Sequence, residues 1–379
     1  MARGIKSKHE FVASLEAKII RLVRIDGGLS RIQLARALKL SPSTTGIYVD
    51  RLIREKLLLE TDAAVVGREG VGRPPTALVP NPAGGRFIGV DFEARNLLAT
   101  VVDFSQQPLR QIHEALRPSN SQAHILTKIE HAVEELMTGD ARPVLGIGVG
   151  VPGTIDPVAN VAVDYPFIKD WHNVPLGARL TERFGVPVFL ENNIRSMALA
   201  ELWFGAGRTS RNFVCVGIRS GVAAGVVVEG ALLHGAQYRA GEIGHWICSG
   251  AKRERLEHVA SLSAIIAAAQ RSRRRAVTED EFLVAAREGE KWALALLHSV
   301  GRVHGWVAHQ LNELFNPDKI IFAGPLADLG ESFLATVRET ACEPGDPGRA
   351  PCIVSSTLGR YNGALGAAAL ALHQWKPKR

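Results

Sequence analysis

Short apolar runs alternate with helical stretches from about residue 83 to the end of the chain. The runs are of strand length, and each is bounded by glycine, proline or a helical segment. This alternation predicts an α/β fold with a largely parallel central sheet. The segments concerned are the apolar runs at 144–153, 186–193 and 212–230, the helix at 295–315, the apolar run KIIFAGPL and the final helix NGALGAAALAL.

The bulk composition is that of a globular protein. The chain has 379 residues, of which 46% are apolar and 22% charged, enough for two or three domains with their own cores. The longest apolar tract, 214–233, contains Arg219, Glu229 and several glycines, so it predicts two strands and a turn rather than a membrane span. No signal peptide is visible in MARGIKSKHEF. A cytoplasmic protein with no membrane partner is predicted.

Nearly all of the excess positive charge lies in the first fifth of the chain. Residues 1–80 contain 14 Lys and Arg against 8 Asp and Glu, a net charge of +6. The other 299 residues contain 31 and 30, a net charge of +1. This distribution is typical of a polyanion-binding module attached to a neutral body.

Three helices are predicted in the basic segment. They cover 14–28, 30–40 and 41–58, and about three residues link the second to the third. Ser30 followed by Gln33 predicts a capping box on the second helix. The lengths and the short link indicate a helix-turn-helix. The alternative is a helical bundle with a solvated basic face.

The third helix has two distinct faces. Ser41 is predicted to cap it, and Pro42 suits its first position. Thr45, Val49 and Leu52 lie on the side expected to pack on the other helices. The opposite side has short side chains at its start and arginines at its end, as a DNA-recognition helix requires. The predicted DNA contacts of this helix are Ser43, Thr44, Ile47, Arg51 and Arg54.

The segment 57–82 predicts the wing of a winged helix. Two short apolar strands flank a loop rich in glycine that contains Arg68 and Arg73. The tripeptide around Arg73, Gly-Arg-Pro, is of the kind that enters a narrow minor groove, and both arginines are predicted DNA contacts. A plain surface loop is the alternative. Four prolines between 74 and 82 mark the end of a DNA-binding domain and linker, residues 1–82.

Several motifs of the body occur together. They are GIGVGVPGTIDP at 146–157, FIKDWHNVPL at 167–176, LENNIRSMALAELWFGAGR at 190–208, SGVAAGVVVEGALLHGAQYRAGEIGHW at 220–246 and LEHVAS at 256–261. With these motifs the body resembles the ROK family of bacterial repressors, open reading frames and kinases. The resemblance implies the sugar-kinase/actin-like fold with two lobes, 83–195 plus 362–375 and 196–361. Behind a winged helix-turn-helix, it implies the transcription regulators of the family.

The chain departs from the family's kinases wherever they handle ATP. Their phosphate loop reads Asp-x-Gly-Gly-Thr, whereas 91–95 reads Asp-Phe-Glu-Ala-Arg and lacks the glycines that let backbone N–H groups approach phosphates. Their catalytic Asn-Asp pair is Asn192-Asn193 here, and an amide cannot serve as a general base. Their adenosine-side Gly-Gly is replaced at 323–325 by Ala-Gly-Pro. We therefore expect no catalytic residue, no cofactor and no kinase activity.

The sugar side is better preserved than the ATP side. Carboxylates, amides and an imidazole suit the paired hydroxyls of a carbohydrate. Two alternatives stay open, because Asn192-Asn193 could serve only as a helix N-cap and His245 could be structural. The resemblance places around the sugar Gly153, Asn192, Asn193, Glu242, His245 and Glu257.

Zinc is not expected. Many ROK proteins hold Zn²⁺ through the histidine of Gly-Glu-x-Gly-His and three cysteines of a following loop. The histidine motif is present at 241–245, but only Cys248 follows it closely, and a structural zinc needs about four ligands. We therefore predict no metal site, unless one is shared between subunits.

Together these features predict a sugar-responsive transcriptional regulator, most simply a repressor. Its partners would be operator DNA with an inverted repeat, a small carbohydrate effector and further copies of the chain in a homodimer or tetramer. Two rivals remain at this stage. One is an active sugar kinase with a DNA-binding arm, and the other is a ligand-independent regulator whose body serves only for dimerisation.

Overall fold

The computed structural model describes residues 15–62, 76–117, 119–248, 253–342 and 350–377. Its first part is a winged helix. Three helices precede an antiparallel pair of strands, in the order α1 Leu15–Asp26, α2 Arg31–Leu38, α3 Pro42–Arg54, β1 Leu58–Thr61 and β2 Ala77–Pro80. The predicted wing arginines, Arg68 and Arg73, lie outside the described residues.

Local capping signals of the winged helix are confirmed. Ser30 and Gln33 form both hydrogen bonds of the capping box at the start of α2. Ser41 accepts a hydrogen bond from the backbone N–H of Thr44, and Pro42 is the first residue of α3. The third helix ends four residues before the predicted Leu58. Lys56 adopts a left-handed backbone (φ 57°) there, which turns the chain into β1.

The body contains two five-stranded sheets, one three-stranded sheet and nine helices within the described ranges. The strands are β3 Arg86–Phe92, β4 Asn96–Asp103, β5 Pro108–Ala115, β6 Val144–Val151, β7 Thr154–Asp156, β8 Val161–Asp164, β9 His172–Val174, β10 Val188–Asn192, β11 Phe213–Ile218, β12 Val222–Val228, β13 Ala231–Leu232, β14 Lys319–Ala323 and β15 Ile353–Ser355. The helices are α4 Gln122–Met137, α5 Leu176–Phe184, α6 Asn193–Trp203, α7 Leu256–Ala260, α8 Leu262–Arg273, α9 Glu279–Arg287, α10 Lys291–Phe315, α11 Glu331–Ala341 and α12 Asn362–Gln374.

The two large sheets give the two lobes. Their strand orders are β10-β6-β3-β4-β5 and β13-β12-β11-β14-β15. The expectation of one largely parallel sheet is wrong, because half of the strand pairings in each sheet are antiparallel. Turns as short as the three residues between β3 and β4 can join only antiparallel strands. Each lobe therefore combines a hairpin-built half with a parallel half.

Two helices, α6 and α12, lie between the large sheets. The α12 helix packs on β3, β6 and α6, and α6 also packs on β11 and β12. Backbones approach closely, since a Cβ at Gly148 would lie 1.7 Å from the carbonyl oxygen of Ala367 and one at Gly366 would lie 1.6 Å from that of Ser196. The predicted lobe boundary between 195 and 196 lies inside α6 and stays a prediction.

The winged helix shares one apolar core with the first lobe. Ile19 and Leu52 of the winged helix belong to the same buried cluster as Phe87, Phe104 and Leu372 of the body. A buried cation crosses this junction: Arg24 of α1 donates to the carbonyl oxygen of Leu372 (3.3 Å), and its guanidinium lies 4.1 Å from the ring centre of Phe104. The winged helix is thus packed onto the C-terminal end of α12. None of the described helices is long and apolar enough to cross a membrane.

Candidate functional site

A cleft of about 750 Å³ opens between the two lobes. The ends of β6 and β10 form one wall, and the turn between β11 and β12 and the start of α7 form the other. The structure brings all six predicted ligand residues to the lining of this cleft: Gly153, Asn192, Asn193, Glu242, His245 and Glu257. That they bind a ligand stays a prediction.

Adjacent asparagines at the start of α6 have different environments. Asn192 is the N-cap: its Oδ1 accepts from the backbone N–H groups of Ile194 (3.0 Å) and Arg195 (3.3 Å), and its Nδ2 donates to the carbonyl oxygen of Gly153 (3.0 Å). The capping alternative therefore holds for Asn192. Asn193 lines the cleft and forms no side-chain hydrogen bond with the residues that the structure describes. Its amide is free to meet a ligand.

Gly153 has a structural reason to be glycine. Its φ is 74°, and a Cβ there would lie 2.2 Å from the carbonyl oxygen of Asp164. Only glycine tolerates both the left-handed backbone and the close approach. Its role in the cleft is thus to let the wall turn and to receive the Asn192 amide.

Imidazole and carboxylate groups lie side by side on the second-lobe wall of the cleft. Glu257 Oε1 lies 3.9 Å from His245 Nε2, 3.8 Å from His258 Nε2 and 3.7 Å from Arg255 Nη1. The structure thus keeps Glu257 beside His245 although few residues separate them in sequence. Carboxylates accept hydrogen bonds from hydroxyl groups, and amide and imidazole groups can donate or accept. We call Asn193, Glu242, His245 and Glu257 the open end of the cleft.

A buried pair of residues supports Glu242. Arg195 Nη1 lies 4.0 Å from Glu242 Oε1, and Arg195 Nε donates to Glu191 Oε1 (2.7 Å). His234 Nε2 lies 2.8 Å from the other oxygen of Glu191. Burial would raise the pKa of Glu191, but the hydrogen bond to His234 and the charge of Arg195 outweigh it and lower the pKa. The Glu191 carboxylate therefore stays charged and holds Arg195 in place.

At the other end of the cleft one buried cation pairs with two carboxylates. Arg219, just after β11, places Nη1 2.7 Å from Asp91 Oδ2, and its Nε contacts Glu93 Oε1. The Ser220 hydroxyl donates to Glu93 Oε2. The charged side chains are only 12%, 1% and 10% exposed for Arg219, Asp91 and Glu93. We call these three residues the ion-pair corner, and it joins the two large sheets directly.

Burial and neighbouring charges compete in setting the pKa values of the corner. It raises the pKa of Asp91 to about 6, with Arg219 opposing the shift and Glu93 adding to it. Burial alone would lower the pKa of Arg219, but the facing carboxylates of Asp91 and Glu93 raise it above its usual value. Burial and the charge of Glu93 also raise the pKa of Tyr165, whose hydroxyl lies 3.2 Å from that of Ser220. The guanidinium is therefore a permanent cation.

Sequence reasoning missed Arg219. The sequence showed Asp91 and Glu93 in place of a phosphate loop, but their partner lies 128 residues after Asp91. The only local sign was an arginine in a long apolar tract, which argued against a membrane span and for nothing else. A charged residue at a predicted strand end is a weak indication of such a pair.

Only part of the predicted DNA-contact face of α3 is fully exposed to solvent. The packing face is confirmed, since Thr45, Val49 and Leu52 are fully buried. Ser43, Ile47 and Arg54 are exposed, and Thr44 and Arg51 are half-buried. The structure does not test whether these five residues contact DNA, so the contact stays a prediction.

No described group of three or more His, Cys, Asp or Glu side chains is placed to hold a metal ion. Cys248 is followed by residues 249–252, which lie outside the described part of the chain. The expected absence of zinc therefore stays a prediction.

A two-lobed α/β body joined to a winged helix defines a class of proteins, and comparison of the sequence with known families names it. The sequence model of the ROK family matches residues 87–374, about three quarters of the chain. The chain belongs to the ROK family.

Relatives with known names are both regulators and enzymes. The chain is 25% identical over 334 residues to the xylose repressor of Caldicellulosiruptor bescii, with 82% of this chain and 83% of the relative covered. It is 26% identical over 372 residues to the DNA-binding transcriptional repressor Mlc of Escherichia coli, with 93% and 91% covered. It is 28% identical over 309 residues to the glucokinase of Thermotoga maritima, with 75% and 96% covered.

Solved structures show the same division. A ROK family transcriptional regulator, a homologue of the E. coli Mlc protein, superposes with a TM-score of 0.78 at 24% identity and covers 95% of each chain. A ROK family glucokinase from Streptomyces griseus, in complex with glucose and AMPPNP, superposes with a TM-score of 0.68 at 26% identity. It covers 76% of this chain and 99% of its own. The enzyme thus leaves about a quarter of this chain unmatched.

Proposed function

We propose that this protein is a sugar-responsive transcriptional repressor whose kinase-like body no longer catalyses phosphoryl transfer. One observation supports this best: the cleft keeps an open end of carbohydrate-binding character, while at its other end Arg219 is already paired with Asp91 and Glu93. The winged helix packed against the same body supplies the DNA-binding part. The relatives named as repressors support the same conclusion.

Loss of catalysis follows from the groups at the two ends. Asn193 presents an amide where a kinase needs a base, and loss of a general base costs a rate factor of about 10² to 10⁴. Glu93 adds a negative charge next to the turn that would receive phosphates, and the nearby cation, Arg219, is already bound by two carboxylates. Repulsion and a committed cation both disfavour a nucleotide. No cofactor is expected.

Signal transmission is proposed to use the two central helices. The α6 helix starts at the cleft with Asn193, packs along α12, and α12 contacts α1 through Leu372 and Arg24. A sugar bound at the open end that shifts α6 would therefore act on the winged helix. This requires that the sugar bind the DNA-competent and DNA-incompetent states with different affinities.

The proposed assembly is a cytoplasmic homodimer or tetramer on operator DNA. Two winged helices related by a two-fold axis would read an inverted repeat. Ser43, Thr44, Ile47, Arg51 and Arg54, with the wing arginines Arg68 and Arg73, would contact the DNA. The ligand would contact the six cleft residues, with Asn192 and Gly153 shaping the wall rather than reaching for hydroxyl groups.

A thermal-shift screen of the full chain tests the proposal. Sugars and sugar phosphates are added singly, with and without Mg-ATP, since a ligand of the native state raises the melting temperature. We expect one sugar to raise it and Mg-ATP to have no effect. That sugar should then lower the affinity for an operator selected in vitro. The proposal is contradicted if no sugar raises the melting temperature, or if the sugar that raises it leaves the affinity for DNA unchanged.

The rival is an active sugar kinase with a DNA-binding arm, which the similarity to the Thermotoga maritima glucokinase favours. It predicts ADP production from ATP in the presence of the sugar. A coupled ADP assay on the wild type decides between them. The Asn193→Asp variant, which restores a carboxylate at the position of the base, shows whether the ion-pair corner alone prevents turnover.

A further inference from the structure

Ile47 is an apolar residue on the solvent-exposed face of α3. Its side chain is 68% exposed, the highest value among the large apolar side chains in the described part of the chain. The same helix buries Val49 and Leu52 completely on its opposite face. An exposed isoleucine is ordinary on a protein surface, but here it projects from the middle of a helix that is predicted to enter a groove of DNA.

Hydroxyl groups beside Ile47 are already engaged. The Ser43 hydroxyl lies 3.0 Å and the Thr44 hydroxyl 2.7 Å from that of Ser41. Ser41 in turn accepts the backbone N–H of Thr44 as the helix cap. These bonds stabilise the start of α3 and restrict the directions in which the two hydroxyl groups can turn toward a base.

Charged groups further along the face are engaged as well. Arg51 donates to Glu55 (2.8 Å), and Arg31 Nη1 lies 2.6 Å from Asp50. Arg54 is exposed, but it lies at the C-terminal end of α3, which suits a phosphate contact better than a base contact. Ile47 is left as the one side chain in the middle of this face, among the described residues, that needs no bond to be broken before it touches a base.

We propose that Ile47 packs against the C5 methyl group of a thymine in the operator and is the main base-specifying contact of α3. The proposal rests on the proposed function, because it assumes that α3 binds the major groove. The thymine methyl is the apolar group that base pairs present in that groove. The excess positive charge of the first 80 residues favours the polyanion as the occupant of this face over an apolar protein surface.

Deoxyuridine makes the test direct, because it differs from thymidine only in lacking that methyl group. The full chain first selects its operator from a random DNA pool. Each thymine is then replaced singly by deoxyuridine, and dissociation constants are measured by fluorescence anisotropy at one fixed salt concentration. We expect the wild type to bind about fourfold more weakly when the contacted thymine of one half-site is replaced, the factor for one buried methyl group.

Two variants locate the contact. Ile47→Ala should bind the thymine and uracil operators equally, so the two changes are not additive. The matched control is Ile32→Ala on α2, which removes another exposed isoleucine (56%) and should keep the fourfold difference. Thermal melting of both variants should match the wild type, because neither side chain is buried.

Three results would overturn the inference. A fourfold difference that survives in Ile47→Ala assigns the methyl contact to another residue. Specific binding with no position sensitive to deoxyuridine removes the contact altogether. A full chain that selects no sequence from the pool sinks the proposed function as well, which separates the two failures.

Discussion

The two ends of the cleft differ in where their polar atoms find partners. At the open end, Asn193 has no hydrogen-bond partner in the described chain, and His245 and Glu257 face each other at 3.9 Å, too far for a hydrogen bond. At the ion-pair corner, Arg219 forms ion pairs with both Asp91 and Glu93. Charged groups on one side of the cleft are thus paired with one another, whereas the polar groups on the other side keep unused hydrogen-bonding capacity.

Removing the cation of the ion-pair corner should change the free energy of unfolding most. Arg219→Met leaves two carboxylates buried without a counter-charge and should lower the free energy of unfolding by about 3–5 kcal/mol. Urea denaturation at pH 7 measures it. Loss of so much stability would show that the corner is a closed structural unit and not a vacant ligand site.

Two controls accompany that variant. Arg211→Met removes an exposed ion pair with Glu229 and should change stability by less than about 1 kcal/mol. Combining Arg219→Met with Asp91→Asn and Glu93→Gln should recover part of the loss, because the buried carboxylates are then neutral. Equal losses for Arg219→Met and Arg211→Met would contradict the structural role of the buried ion-pair corner.

The Asp91→Asn variant should differ from the wild type in how its stability depends on pH. Burial raises the pKa of Asp91 in the folded protein to about 6 from an ordinary 3.8. The folded state therefore binds more protons than the unfolded state between these values, and the wild type loses stability as the pH rises through them. The difference in unfolding free energy should shift by about 2.5 kcal/mol in favour of the variant between pH 4 and 7. A difference independent of pH would contradict the raised pKa of Asp91.

Asn192→Ala has a smaller effect on folding. It removes the N-cap of α6 and the bond to Gly153, which should cost about 1–2 kcal/mol of unfolding free energy. Chemical denaturation checks it. A loss well below this range would mean that the cleft wall does not depend on the cap.

Asn193→Ala is the matched partner, with the smallest effect on stability. Its side chain is buried but forms no hydrogen bond inside the described part of the protein, so its removal should cost less unfolding free energy than loss of the cap, about 1 kcal/mol or less. Sugar affinity, measured by calorimetry, should fall about tenfold through loss of one hydrogen bond. If Asn193→Ala destabilises the protein as much as Asn192→Ala and leaves affinity unchanged, the open end has been misassigned.

What could be predicted from the sequence is what local signals specify. The capping box of Ser30 and Gln33 spans four residues, and the asparagine cap of α6 lies next to the bonds it makes. The two strands and the turn predicted within 214–233 depend on a short hydrophobic pattern. The six cleft residues came from family resemblance, and the structure brings them together because α6, β6 and α7 converge at one place.

What could not be predicted depends on distant contacts. Nothing near Arg219 names Asp91 as its partner, since pairing is settled only when β3 and β11 meet across the cleft. The mixture of parallel and antiparallel strands was misjudged because an apolar run does not reveal its neighbours. The early end of α3 depends on the backbone of Lys56, where an ordinary lysine gives no warning of a left-handed turn.

The apolar core shared by the winged helix and the first lobe limits how this protein can be taken apart. Prolines mark a boundary near residue 82 in the sequence, yet Leu52 on one side and Phe87 and Phe104 on the other pack in one cluster. A chain cut at this boundary would expose aromatic rings and be prone to aggregate. An exchange of DNA-binding domains between relatives would have to transfer both sides of this junction together. The winged helix and the body are therefore expected to be inherited as one unit.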